Sequence, residues 1–200
     1  MKEIFEKIWK LAEPYQDKRE DTGHAITSLH YAERLLALGK GNEDVVVPAI
    51  ILHDIGYSQL EQEHRMQIFD SPREEDRRAV QYEHQVESVK LAVKILRQVD
   101  YPADLTDEIL EIISQHDTRK DFISDNEGIV RDSDKLWRTS LQGFTVAEER
   151  ARKREAKRFE RMEEGLKKEK YFYSDAARDI ALADLKEWER HTKGEKAAGS

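Results

Sequence analysis

His53 and Asp54 stand side by side at the end of the most apolar run in the chain, Val45-Val46-Val47-Pro48-Ala49-Ile50-Ile51-Leu52. An imidazole and a carboxylate carried into a core need something there to satisfy them, because a buried, unpaired carboxylate is very costly. One such pair would decide little. His24 lies upstream, however, and His84, His116 and Asp134 follow at intervals that suit successive helices. The series H…HD…H…H…D reads as a metal site, and as a dinuclear one if all six side chains are ligands. Imidazole nitrogens mixed with carboxylate oxygens suit Fe, Mn, Co, Ni or Zn better than a calcium cage, with Mg a further option.

Two ions sharing a water generate hydroxide near neutral pH, polarise a phosphoryl oxygen and stabilise the leaving oxygen. Two irons with open positions could instead activate dioxygen, and the ligand types alone do not choose. His24, His53, Asp54 and Asp134 would suffice for one ion, leaving His84 and His116 to the substrate. His30, His64 and His191 lack a matching context and read as structural or exposed.

The elements that must position these groups read as helices. Ile4, Phe5, Ile8, Trp9 and Ala12 share one helical face between Lys2 and Glu13, with Pro14 as a stop. Asp21-Thr22-Gly23 reads as a cap for a helix from His24 to Leu38. A central helix, apolar all round, should run from 44 to 55, capped by Asn42 or Asp44 and closed by Gly56. Pro48 argues against a strand there. Adjacent helical residues point about 100° apart, so His53 and Asp54 converge only by leaning over the helix end. Residues 58–72 carry no apolar face and read as a loop or lid. Further helices are expected to begin near Arg73, to run from His84 to Val99 and from Asp104 or Thr106 to His116, and to form around Asp132–Trp137. This layout puts His24 and His84 near helix starts and His116 near a helix end.

Residues 148–170 hold ten basic and seven acidic side chains, which fits a solvated helix packed by one edge. A last helix is expected over 174–191, then a disordered tail, Gly194 to Ser200. The 200 residues are 38% hydrophobic and 38% charged, with a net charge of −8, and the mean hydropathy is −0.83. These values fit one all-α domain over 1–200, with the motifs in about 20–140 and C-terminal helices over 141–192 packed on that core. The negative charge disfavours nucleic acid polymers and anionic membranes as partners. With no cysteine, thiolate metal sites and cysteine nucleophiles are excluded. No signal-peptide core and no run of 18 or more apolar residues occur, so a cytoplasmic location is expected.

Over residues 20 to 140 the chain resembles the HD-domain superfamily of metal-dependent phosphohydrolases. Ile51-Leu52-His53-Asp54-Ile55-Gly56 resembles the family's hallmark, His24 with Ala32 eight positions on its first histidine, and Asp132-Ser133-Asp134-Lys135-Leu136 its closing aspartate motif. The resemblance implies an HD-domain helical bundle around a buried metal site. Tyr57-Ser58-Gln59 stands where alarmone hydrolases have a Glu-Asp pair. Leu52 and Tyr57 depart from the deoxynucleoside triphosphate triphosphohydrolases, and Asp117-Thr118-Arg119 from the HD-GYP phosphodiesterases. What remains is similar to symmetrical dinucleoside tetraphosphatases and equally to the mixed-valent diiron oxygenases of the same fold.

The favoured expectation is a phosphohydrolase in which a metal-bound hydroxide attacks phosphorus in a nucleotide or other small phosphorylated metabolite. Asp54 would bridge the ions and act in catalysis. Lys135, Arg138 and Arg119, near the ligands in sequence, are candidate phosphate contacts, each also readable as a surface salt bridge. A diiron oxygenase and a non-catalytic metal-binding regulatory module are the alternatives.

Overall fold

Apolar residues at helical spacing give nine α-helices among the described residues, and no strand. The computed structural model describes residues 1–151 and 171–198, with side chains over 1–147 and 171–191. In order these are α1 (Glu3–Ala12), α2 (His24–Leu36), α3 (Glu43–Leu52), α4 (Gln62–Asp70), α5 (Glu74–Gln98), α6 (Ala103–Gln115), α7 (Asp125–Trp137), α8 (Leu141–Ala151) and α9 (Asp175–Ala198). None is long and apolar enough to cross a membrane.

The all-apolar sequence of α3 makes it the centre. Every residue from Val45 to Leu52 is buried, and α1, α2, α6 and α7 pack around it. Each such aliphatic side chain contributes about 1.5–3 kcal/mol of transfer free energy. The Asn42 side chain caps α3 by accepting from Asp44 N at 3.0 Å. Pro48 lies inside the helix, where it cannot donate to the carbonyl four residues back. That carbonyl, Asp44 O, instead accepts the Tyr101 hydroxyl at 2.6 Å.

α3 ends at Leu52, three residues earlier than the sequence suggests, and a 3-10 turn follows over Ile55–Gln59. Gly56 is required by this turn's closeness to α5, not as a helix stop. A Cβ on it would lie 2.0 Å from His84 O, and Gly56 N donates to Ser88 Oγ at 2.8 Å.

Other expectations change in detail. The stretch 58–72 is no free loop, because it contains α4, which packs on α5 without burying any residue fully. α5 runs unbroken for 25 residues, so His84 sits on the buried face in mid-helix rather than near a start. The cap of α2 comes from Asp17, whose carboxylate accepts from Gly23 N at 2.8 Å and Ala25 N at 3.0 Å. Asp21 is engaged elsewhere, by Arg19.

Phe144, Phe172, Ala177, Ala181 and Leu185 join the core cluster from the C-terminal side. The Asp132 carboxylate fixes the start of α9 by accepting from Tyr173 N, Ser174 N and Ser174 Oγ at 2.7–2.9 Å. α9 continues through Ala198, past the disordered tail expected from Gly194. The charged stretch expected as a solvated helix over 148–170 lies outside the described residues beyond Ala151, and its side chains are outside throughout.

Candidate metal centre

Five elements deliver the polar groups to one buried point. His24 opens α2, His53 and Asp54 follow the last turn of α3, His84 projects from mid-α5, His116 caps α6, and Asp134 lies on α7. All four histidines are at most 4% exposed.

The side chains form two groups that share Asp54. In the first, His24 Nε2 lies 3.2 Å from His53 Nε2 and 3.2 Å from Asp54 Oδ2. Asp134 Oδ1 stands 3.5 Å from His24 Nε2 and 3.7 Å from His53 Nε2. In the second, His84 Nε2 and His116 Nε2 are 3.3 Å apart and lie 3.4 and 3.3 Å from Asp54 Oδ1. Ligand atoms within each group are all within 4.8 Å of one another, close enough to hold an ion. One carboxylate thus turns one oxygen to each group.

Hydrogen bonding fixes which histidine nitrogen faces inward. His53 Nδ1, His84 Nδ1 and His116 Nδ1 lie 2.7, 3.1 and 2.9 Å from the backbone carbonyls of Ile50, Val80 and Ile113. A carbonyl only accepts, so each Nδ1 carries a proton, and in the neutral ring the Nε2 lone pair points at the centre. Lone pairs facing one another across such distances repel unless a cation lies among them. Asp54 Oδ1 is buried and has no hydrogen-bond partner. Orphaned buried acceptors are rare, and a cation would satisfy this one. The residues fit a pair of divalent ions.

The electrostatics agree. Burial works to raise Asp54, yet Arg19 and His53 hold it well below the usual carboxylate range. Asp134 is held low against burial by Arg138 and His53. His53, opposed by burial, is pushed up to about 10 by Asp54 and Asp134. His84 moves the other way, because burial outweighs Asp54. Low carboxylates and a raised imidazole both mark a centre that favours positive charge.

The sequence offered little sign of two neighbours. Arg19 is 7% exposed, lies 2.5 Å from Asp54 Oδ2 through Nη2, donates through Nε to Asp21 at 2.9 Å, and stacks on the Tyr57 ring at 4.3 Å. Tyr57 in turn stacks on His84, with centroids 4.0 Å apart. Asp117 Oδ2 lies 3.8 Å from His84 Nε2, and its position directly after His116 was the available signal.

A cavity of about 570 Å³ opens beside His116, Asp117 and Asp134. Lys135 and Arg138 line it, as does Arg131, together with Arg77 and Arg78 of α5, which sequence proximity did not suggest. Burial and the neighbouring Arg131 push Lys135 down to about 8. Arg119 is not among the lining residues, since it pairs with Glu111 and, at 3.0 Å, with the buried Glu127. His64 pairs with Glu83 at 2.8 Å, and His30 is exposed. Neither joins the centre.

The sequence profile of the HD domain matches residues 22–139, which include all six clustered side chains. The chain belongs to the HD domain family. The crystal structure of a predicted HD superfamily hydrolase from an uncultured Thermotogales bacterium is similar in fold, with a TM-score of 0.62 at 15% identity, over 99% of this chain and 92% of that one. Comparison with curated proteins found no match.

Proposed function

We propose that this HD-domain chain is a metal-dependent phosphohydrolase of small phosphorylated metabolites, built as one unit over residues 1–200. The observation that carries the reading is a two-group ligand set, shared through Asp54, opening beside a cavity lined by five cationic side chains in a protein of net charge −8. His24, His53, Asp54 and Asp134 would hold one ion, and Asp54, His84 and His116 the other. When bound, the ions supply Lewis acidity and an activated water.

The chain's own residues do the rest. Backbone carbonyls of Ile50, Val80 and Ile113 fix three imidazole orientations. Arg19 pairs with Asp54 and keeps it ionised, and Tyr57 stacks on both the Arg19 guanidinium and the His84 ring. Lys135 and Arg138 turn the local field positive, so that a phosphate dianion enters against the overall negative charge.

The direct test is metal analysis of protein purified without added metal, followed by a panel of phosphate esters and anhydrides with each candidate ion. Turnover that disappears on chelation and returns with metal supports the reading. Bound iron with substrate-dependent oxygen uptake and no phosphate release would replace it with the oxygenase chemistry. Metal binding with neither activity would leave a regulatory module.

A further inference from the structure

The cationic wall of the cavity extends beyond what one phosphate at the metal centre can use. His116, Asp117 and Asp134 border the ligand groups, with Lys135 and Arg138 next to them on α7. Arg77 and Arg78, which also line the cavity, come from the first turns of a different helix, α5. The cations of the cavity are thus supplied by two separate elements, α5 and α7.

Arg138 pairs with Asp134 at 3.2 Å and Arg131 with Glu127 at 3.7 Å, whereas Arg77, Arg78 and Lys135 are poorly compensated from within the chain. Arg77 is half-buried and donates through Nη1 to a backbone carbonyl, Ser71 O, at 2.7 Å. No described carboxylate lies within ion-pair distance of it. Lys135 likewise donates to a carbonyl, Tyr171 O, at 2.5 Å. Among the described residues, the one carboxylate within ion-pair distance of Arg78 is Glu74, 3.5 Å from Nε, and both side chains are mostly exposed, so that pair holds Arg78 only loosely. A cavity of this volume also exceeds the space of one phosphate and falls in the range of pockets that hold whole metabolites, about 300–1,000 Å³. Arginine forks recognise phosphate and carboxylate through paired N–H donors.

We propose that Arg77 and Arg78 form a second anion subsite, and that the substrate carries a phosphate or carboxylate group remote from the phosphate delivered to the metal centre. This rests on the phosphohydrolase reading for the first phosphate, but not for the second contact. The subsite selects doubly anionic metabolites over simple monoesters of the same skeleton.

Calorimetric titration of the metal-loaded protein tests this with a ladder of linear alkanediol bisphosphates, the matching ω-carboxyalkyl phosphates, and the plain alkyl monophosphates. At least one chain length should bind tenfold or more tightly than its monophosphate, and the better series identifies the second group. Arg77→Gln/Arg78→Gln should reduce that gain, taken as the ratio of the two affinities within the same variant, to less than twofold while metal content stays within error. No gain at any length, or a gain that survives the double substitution, overturns the subsite. Failure of the monophosphates themselves to bind or turn over would count against the phosphohydrolase reading instead. A gain abolished by the double substitution would still support the subsite in that case.

Discussion

Arg19 Nη2 lies 2.5 Å from Asp54 Oδ2, the same carboxylate oxygen that faces His24 and His53. The guanidinium therefore shares one oxygen of the central carboxylate with the first ligand group, while Oδ1 faces the second. Arg19 also pairs with the buried Asp21. Removing one partner of a buried ion pair strands the other charge, at a cost of about 3–5 kcal/mol. Arg19→Met should lower the stability of chelated protein by about that much in urea titration. The loss should shrink when saturating metal is present, because ions then supply the missing charge. Equal losses with and without metal would contradict this account.

Asp54 has two groups to serve, so its truncation should be far more damaging than that of a peripheral histidine. Asp54→Ala should lose most bound metal and about two decades or more of rate. His64→Ala, which only frees Glu83 at a part-exposed site, should leave both within about twofold. Metal analysis and initial rates on the two variants check this.

Gly56→Ala probes the approach of the His53-Asp54 turn to α5. Its Cβ would fall 2.0 Å from His84 O and 2.4 Å from Ser88 N, both backbone atoms that cannot rotate away. Overpacking typically costs about 1–3 kcal/mol, and the forced shift runs through His84. The variant should melt lower and bind the second ion more weakly. Unchanged melting and metal stoichiometry would show that the turn can move without disturbing the site.

Tyr101→Phe removes the donor that satisfies Asp44 O across from Pro48. The cost should be about 1 kcal/mol in urea denaturation, with metal content unchanged, since Tyr101 does not touch the centre.

The helical periods of α1, α3, α6 and α9 were legible because each has an apolar face or is apolar throughout, and the six clustered side chains stood out because polar groups were embedded in that pattern. α4 was not legible, since Gln62–Asp70 buries no residue fully and leaves no hydrophobic period to read. His84 was misplaced because the charged first half of α5 looks like a separate segment, although the helix is continuous. Arg19, Arg77 and Arg78 lie in charged stretches whose composition resembles any solvated surface. Only the fold shows that one is buried against Asp54 and that the others line the cavity. Nearness in sequence does not place Arg119 in the cavity lining, because Glu111 and the buried Glu127 engage its guanidinium.

The central claim is that Asp54 joins two metal sites. The metal-to-protein ratio at saturation, measured after removing free ion, tests it most directly in wild type and in His84→Ala/His116→Ala, with circular dichroism to establish that the helices persist. Two ions per chain in wild type and one in the double variant are predicted, because His24, His53, Asp54 and Asp134 remain intact. One ion in the wild type, or two in the double variant, would contradict a shared dinuclear centre.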